Sequence, residues 1–337
     1  MKIAGFLVVG KGEADRYLPQ VLKRLDGLCD RIFIWGNNPD KKTDELCSKY
    51  DYYRHPEDLW GTQQWRIKFT LLTEFVKPYN PDWIVCVDAD EILDKRLTRE
   101  KAEEMADWGE VAFNFYCVQL WNSENTMRVD GYWGNFWNVR YYKFIPELQQ
   151  FFQKTALHCG LAPIYAYKWA TPSGLLFKHY GYLKPEDRTK KADRYERYDP
   201  TAIYKSVEFY KSIKDINPVL EPFDEDEFGK KLKYVPKKPL INKVLKERLM
   251  RGKNYVVKNP HGRIVECNEL VYETIKNKPG FVLITDYEAE RRNVIEAPLI
   301  KSDEYNSGTK ELFECPICGK QFENKKKLQG HKIGAHK

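Results

Sequence analysis

Long hydrophobic runs are missing from this 337-residue sequence, and none approaches the ~18 residues that span a bilayer. A phosphate loop of the G-x-x-x-x-G-K-[ST] kind is also missing, because no Gly-Lys pair is followed by Ser or Thr. That disfavours an ATP-dependent enzyme. Gly10-Lys11-Gly12 lacks the third glycine of a dinucleotide fingerprint, so a nicotinamide enzyme is a weak candidate. Residues 1–9 are too short for a signal peptide and carry no cleavage site. They read as a first β-strand and predict a cytoplasmic protein, in the host cytosol if the chain is viral. Six of the eight cysteines (Cys29, Cys47, Cys86, Cys117, Cys159 and Cys267) are scattered through apolar or strand-like settings, and they are expected to be reduced and buried. No internal repeat is present.

What remains is a charged, aromatic-rich chain: 31% Asp, Glu, Lys and Arg, 14% Phe, Trp and Tyr, and a formal charge of +7. This composition supports a packed core and excludes a disordered protein. The positive charge crowds the last third, in Lys230-Lys231, Lys237-Lys238, 243–251 and Lys325-Lys326-Lys327. Such a distribution suits contact with a polyanion.

The first half alternates strand and helix patterns. Strands are predicted at 3–9, 31–35, 52–54 and 83–87, with helices at 13–25, near 40 and at 62–76. This βαβαβ order argues for a mostly parallel, doubly wound sheet. Beyond residue 90 the pattern becomes antiparallel, at 110–120 and 132–144. Short strands mixed with Gly and Pro follow at 157–182, and a helix at 185–198. Residues 217–234 read as a linker. A basic helix at 240–250, a hairpin turning at 259–262, a helix at 268–276 and a strand at 281–285 form a small βα module. Residues 302–309 read as a second linker.

The most informative segment is Trp83-Ile84-Val85-Cys86-Val87, which ends in Asp88-Ala89-Asp90-Glu91. A buried strand delivers carboxylates to its C-terminal edge, where open α/β sheets bind ligands. Asp88 and Asp90, two apart, face one way on a regular strand and make a hard-cation site suited to phosphates.

In context this segment resembles the D-x-D motif of GT-A glycosyltransferases, specifically the family 2-like group. The resemblance covers roughly residues 1–199. It includes Glu13 with Tyr17-Leu18, Arg66, Asp82-Trp83 through Glu91, Asp130-Gly131-Tyr132-Trp133 and Arg140. It continues in Lys178-His179-Tyr180-Gly181-Tyr182 with Arg188, Lys191, Arg194 and Tyr195. It implies a nucleotide-sugar donor, with a UDP-sugar favoured, and a diphosphate held by Mn2+ or Mg2+. Asp90 is the expected direct ligand, His179 the later one, and Asp88 meets the metal shell or the ribose. Arg188, Lys191, Arg194 and Arg66 are expected on phosphate oxygens. The family's base-reading aspartate after the second strand is replaced here by Asn37. The Thr-Glu-Asp motif of many inverting members is missing, so Asp130, then Glu124, is the expected general base.

The C-terminus carries the strongest motif. Phe313-x-Cys315-x-x-Cys318-x-x-x-Phe322, then Leu328, His331 and His336, matches the two-cysteine, two-histidine zinc finger. So small a segment takes its folding energy from Zn2+. Asn324, Lys326 and Lys327 fall at or beside its reading positions and predict weak, phosphate-dominated DNA contact.

The expected organisation is an α/β GT-A doubly wound sheet over 1–216, a basic linker helix and small α/β module over 217–300, a linker at 301–311 and a ββα zinc finger over 312–337. The expected activity is inverting transfer of a hexosyl or pentosyl group, with a hydroxymethylated pyrimidine of bacteriophage DNA as the favoured acceptor. A protein or glycan acceptor, with the finger as a docking module, is the first alternative. A non-catalytic nucleic-acid-binding protein on the same scaffold is the second.

Overall fold

The computed structural model describes residues 1–148, 150–155 and 157–234. It also describes strands Asn254–Lys258, Ile264–Asn268, Val282–Leu283, Ile300–Lys301, Phe313–Glu314 and Gln321–Phe322. The chain divides into two compact units, Met1–Leu299 and Ile300–Lys337.

In the first unit, β1 (Ile3–Val9) leads through a single 3-10 turn to α1 (Leu18–Asp26), and β2 (Arg31–Asn37) to α2 (Lys41–Cys47). The expected helix from 13 starts late because Pro19 occupies its first turn, where a missing N–H costs nothing. Asp40 caps α2 by accepting the Thr43 N–H. After β3 (Asp51–His55), the expected single helix is α3 (Gln64–Thr70), a π-helical stretch Leu71–Val76 and the short α4 (Lys77–Tyr79). Then come β4 (Trp83–Asp88), β5 (Glu91–Leu93), α5 (Arg99–Ala106) and β6 (Ala112–Trp121). The rest comprises β7 (Ser123–Arg128), β8 (Trp137–Lys143), α6 (Ile164–Trp169), β9 (Ala170–His179), α7 (Pro185–Tyr198), α8 (Val207–Ser212), β10 (Leu220–Pro222) and α9 (Glu225–Lys231).

The main sheet runs β10-β7-β6-β8-β4-β1-β2-β3. β1 pairs in parallel with both β2 and β4, and β2 with β3, as the alternating pattern implies. Alternate residues of β1 and β4 feed two cores: Leu7 and Val85 join Leu18, Val21, Leu22 and Leu25 of α1 on one face, while Phe6 and Ile84 join Ile67 and Leu72 on the other. Both faces are therefore covered, which is why these strands read as continuous apolar runs.

Two expectations give way here. Residues 157–182 hold one ten-residue strand, β9, and not several short ones. It lies between β5 (antiparallel) and β6 (parallel), with the register to β6 shifting across 172–176, where Gly174 takes φ 76°. Residues 217–234 are not a linker. β10 pairs with β7, and in α9 Glu225 accepts from Lys178 of β9 while the Gly229 carbonyl accepts from Arg96.

Elsewhere in this unit β11 (Asn254–Lys258) pairs antiparallel with both β12 (Ile264–Asn268) and β13 (Val282–Leu283). The expected helices at 240–250 and 268–276 lie outside the described residues, apart from Asn268 itself. In the second unit Phe313–Glu314 pairs antiparallel with Gln321–Phe322, with Phe313 opposite Phe322. The zinc-ligand candidates Cys315, Cys318, His331 and His336, with Asn324, Lys326 and Lys327, lie outside the described residues. Among the described residues no helix is long and apolar enough to cross a membrane. Cys47, Cys86, Cys117 and Cys159 are free and buried, and Cys29 is free and half-buried.

Candidate functional site

A cavity of about 780 Å³ opens at the C-terminal edge of β1, β2 and β4. Register builds its acidic wall. Glu91 of β5 stands opposite His179 of β9, which stands opposite Gln119 of β6. The Tyr180 N–H donates to the Asp90 carbonyl (2.8 Å), tying the acidic turn to the end of β9.

The acidic residues of that turn divide the work. Glu91 is structural: it pairs with buried Arg140 of β8 and its Oε2 accepts the Asp88 N–H at 3.0 Å. Asp90 is buried, and its Oδ2 lies 2.9 Å from Lys191 Nζ and 3.5 Å from His179 Nε2. Burial alone would raise its carboxyl. Opposing charge, the Lys191 ammonium first, outweighs that and holds it well below the usual carboxylate range. Asp88 lines the cavity, and its buried Oδ1 has no hydrogen-bond partner.

His179 is oriented from behind. Its Nδ1 lies 2.7 Å from Gln119 Oε1, an acceptor that suits a proton on Nδ1. In that tautomer Nε2, 3.1 Å from Lys191 Nζ, is left as an acceptor, as in a metal-ligating imidazole. Gly181 keeps this space open, since a Cβ there would overlap Lys191 Nζ and Asp90 Oδ2 and lie 2.7 Å from His179 Nε2. A divalent cation therefore fits the Asp90–His179 pair, with the orphaned Asp88 oxygen nearby. Among the described residues no three His, Cys, Asp or Glu side chains converge into a ready-made metal cluster, and it is the Lys191 ammonium that sits against Asp90.

Glu13, from the turn after β1, also lines the cavity. Burial, then the Asp90 charge, raises its pKa to about 7, against the opposing pull of Arg16, Lys191 and Arg194. Arg16 lies 3.0 Å from buried Asp187, joining this turn to α7. Lys190, Lys191, Arg194 and Arg197 of α7 also line the cavity, Lys191 in contact with Asp90.

Several expected residues stand elsewhere. Asp130 is held by Arg128 through two bonds of 2.6 and 2.7 Å, which keep its carboxyl below the usual range, and it does not line the cavity. A carboxylate so clamped is a poor base. Glu124 accepts from the Tyr180 hydroxyl and also lies off the cavity. Arg188 donates to the carbonyls of Tyr182 and Leu183 and to Asn122, fastening α7 to the preceding loop. Arg66 bonds Gln63 and lies over the Trp65 ring, while Lys68, on the same helix, lines the cavity and donates to the Cys159 carbonyl.

Three cavity residues, Asp58, Trp60 and His158, escape sequence reasoning. Asn37 donates to Asp58 Oδ1 at 2.8 Å and accepts the Leu59 N–H, so it presents a carboxylate from a loop twenty-one residues on. Trp60 of that loop has a buried Nε1–H without a partner. The loop is seated by Gly61 (φ 85°), whose missing side chain lets the Tyr198 ring of α7 approach. His158, at φ 56°, is pushed down to about 4 by burial and then by Lys205, and lies 3.2 Å from the Tyr210 hydroxyl. The signal for Asp58 is the amide at 37, which needs a buried partner; no local pattern announces His158.

No family model matches the sequence, and no curated protein matches it. Among solved structures, the chain is similar to S. aureus TarS at 10% identity, covering 63% of this chain and 42% of that one, with a TM-score of 0.37. A TarS structure of residues 1–349 gives 11% identity, 64% and 69% coverage and a TM-score of 0.35. The mannose-1-phosphate geranyltransferase of Thermus thermophilus gives 13% identity, 70% and 69% coverage and a TM-score of 0.27. The chain spans about two fifths of the length of the first of these.

Proposed function

We propose that this chain is a metal-dependent glycosyltransferase that moves a sugar from a nucleotide-sugar to an acceptor hydroxyl, with inversion. The observation that carries this reading is the meeting of Asp90 and His179 at the carboxyl edge of the parallel strands, in a cavity that basic residues of α7 also line. A carboxylate–imidazole pair in a cavity also lined by Lys190, Arg194 and Arg197 is complementary to a cation-bound diphosphate.

Asp90 and His179 would hold Mn2+ or Mg2+, with Asp88 reaching its water shell or the ribose. The ion supplies neutralisation of the diphosphate and stabilises charge on the departing nucleoside diphosphate. Arg194 and Lys190 take phosphate oxygens. Asp58, presented by Asn37, is a carboxylate suited to the N3–H of uracil, which supports a UDP-sugar as donor. Tyr132 and Phe136, exposed at the cavity, offer flat faces for an acceptor sugar or base.

The favoured acceptor is a hydroxymethylated pyrimidine in phage-type DNA, and the sugar a hexose or pentose. The support is the zinc-finger spacing at the C-terminus and its lysines, which suit a Zn2+-folded tether to a polyanion. Against a non-catalytic nucleic-acid-binding protein stands the oriented Asp90–His179 pair, for which a pure binding module has no use.

Incubation with Mn2+, a panel of nucleotide-sugars and DNA with plain or 5-hydroxymethyl pyrimidines tests both levels. The expected result is a hexose- or pentose-sized mass gain on hydroxymethylated DNA alone, reduced about 100-fold or more by Asp90→Ala. Nucleotide-sugar turnover without a gain on DNA overturns the acceptor. No turnover with any donor overturns the enzyme.

A further inference from the structure

The Lys191 head sits against one residue of the acidic turn, Asp90, and against His179 at the end of β9. Its Nζ lies 2.9 Å from Asp90 Oδ2 and 3.1 Å from His179 Nε2. One carboxylate oxygen and one imidazole lone pair are donors that suit a hard or borderline divalent cation, yet what they hold is an ammonium of the same chain. The room between them exists because residue 181 has no side chain, as a Cβ there would overlap Nζ itself.

Why the ammonium is there follows from Asp90. The carboxylate is buried, and a buried charge without a partner is strongly destabilising. Lys191 supplies the compensating charge in the protein without ligands. An ammonium and a divalent ion cannot share that space, because like charges a few ångströms apart in a partly buried site repel strongly. The lysine has somewhere else to go. Its stem has four flexible carbons, its head lies 4.5 Å from the Tyr182 ring centroid, and its neighbours Lys190 and Arg194 line the same cavity.

We propose that Lys191 is a tethered counter-cation: it occupies the divalent-cation position while the enzyme is free of nucleotide, and leaves when a diphosphate offers its head another anion. The metal then enters with the nucleotide and not before it. This rests on the glycosyltransferase reading of the cavity and adds an order of binding to it. No covalent step is involved. One cation is exchanged for another at Asp90 while the displaced ammonium pairs with phosphate.

The test is a titration of Mn2+ into the full-length protein, read by the EPR signal of free Mn2+, with and without UDP. Wild type, Lys191→Gln and Lys191→Met are compared, and Asp90→Asn gives the background from all other sites. Two uncharged replacements guard against one that fails to fold, and a thermal melt of each verifies folding. Without nucleotide, both variants should bind Mn2+ at Asp90 about tenfold or more tighter than wild type. UDP should tighten Mn2+ binding to wild type by a larger factor than to either variant. Equal nucleotide-free affinity in wild type and variants overturns the proposal. So does an absence of Mn2+ binding above background in every case while nucleotide-sugar turnover persists, which would make Lys191 the permanent cation. The ordered binding without any turnover would sink the transferase reading and leave the exchange standing.

Discussion

Glu13 shows how much a single side chain in the cavity depends on its neighbours. Burial and the Asp90 charge carry it from 4.5 to about 7. The folded chain therefore holds that proton more tightly than the unfolded one. The resulting stabilisation is complete below about 4.5 and is lost as the pH rises through about 7. Glu13→Gln, neutral at every pH, should flatten the fall in unfolding free energy between about pH 5 and 7, by an amount on the order of 3 kcal/mol. Thermal unfolding across that range checks it; an unchanged slope overturns the assignment. At this scale the sequence is a partial guide. Asp90 and His179 are visible as chemistry-bearing residues, and their meeting needs only the expected strand ends. Asp130 looks equally available, because nothing in a linear reading shows the Arg128 fork closing on both of its oxygens. Glu91, third in an acidic run, is taken up by Arg140 from a strand whose pairing the sequence does not state.

Among the elements, α7 has two jobs on two faces. Its proline at the first turn, early acids and late arginine make its extent readable as 185–198, and the structure gives Pro185–Tyr198. Which basic residue does which job is not readable, since spacings of three put Arg188, Lys191 and Arg194 progressively around the helix. Arg188 turns onto the loop before the helix, whereas Arg194 reaches the cavity. Arg188→Ala should lower the melting temperature while leaving the donor KM close to wild type. Arg194→Ala should raise that KM about tenfold with little change in melting, consistent with one lost charge-assisted phosphate contact. Steady-state kinetics beside a thermal melt separates the two. β9 reads as several short strands for a physical reason. Pro172 and Gly174 break its pattern, and the sheet absorbs them in a shift of register. β10 and α9 hide in the sequence because a three-residue strand containing Pro222 looks like connecting chain.

For the whole molecule, the parallel core is legible from alternation of apolar strands and amphipathic helices, and the antiparallel extension from its aromatic alternation. The order of the strands is not, because pairing between segments far apart in sequence leaves no local mark. The second unit carries a prediction of its own. The full-length chain should contain one zinc per molecule by elemental analysis, lost in Cys315→Ser. The same substitution should weaken DNA binding and make it less steeply dependent on salt, as expected when lysine–phosphate contacts are lost. Retention of the metal in that variant would overturn the ligand assignment.

The seating of β9 between β5 and β6 also fixes when the site can come into being. Asp90 leaves the ribosome long before its partners, and His179 and Lys191 follow only after about half the chain has been made. At about 5–20 residues per second, the acidic turn waits several seconds or more with no imidazole or ammonium beside it. The nascent chain is thus a species whose acidic turn lacks its counter-charge, until β9 takes its place between β5 and β6 and α7 brings the ammonium that balances Asp90.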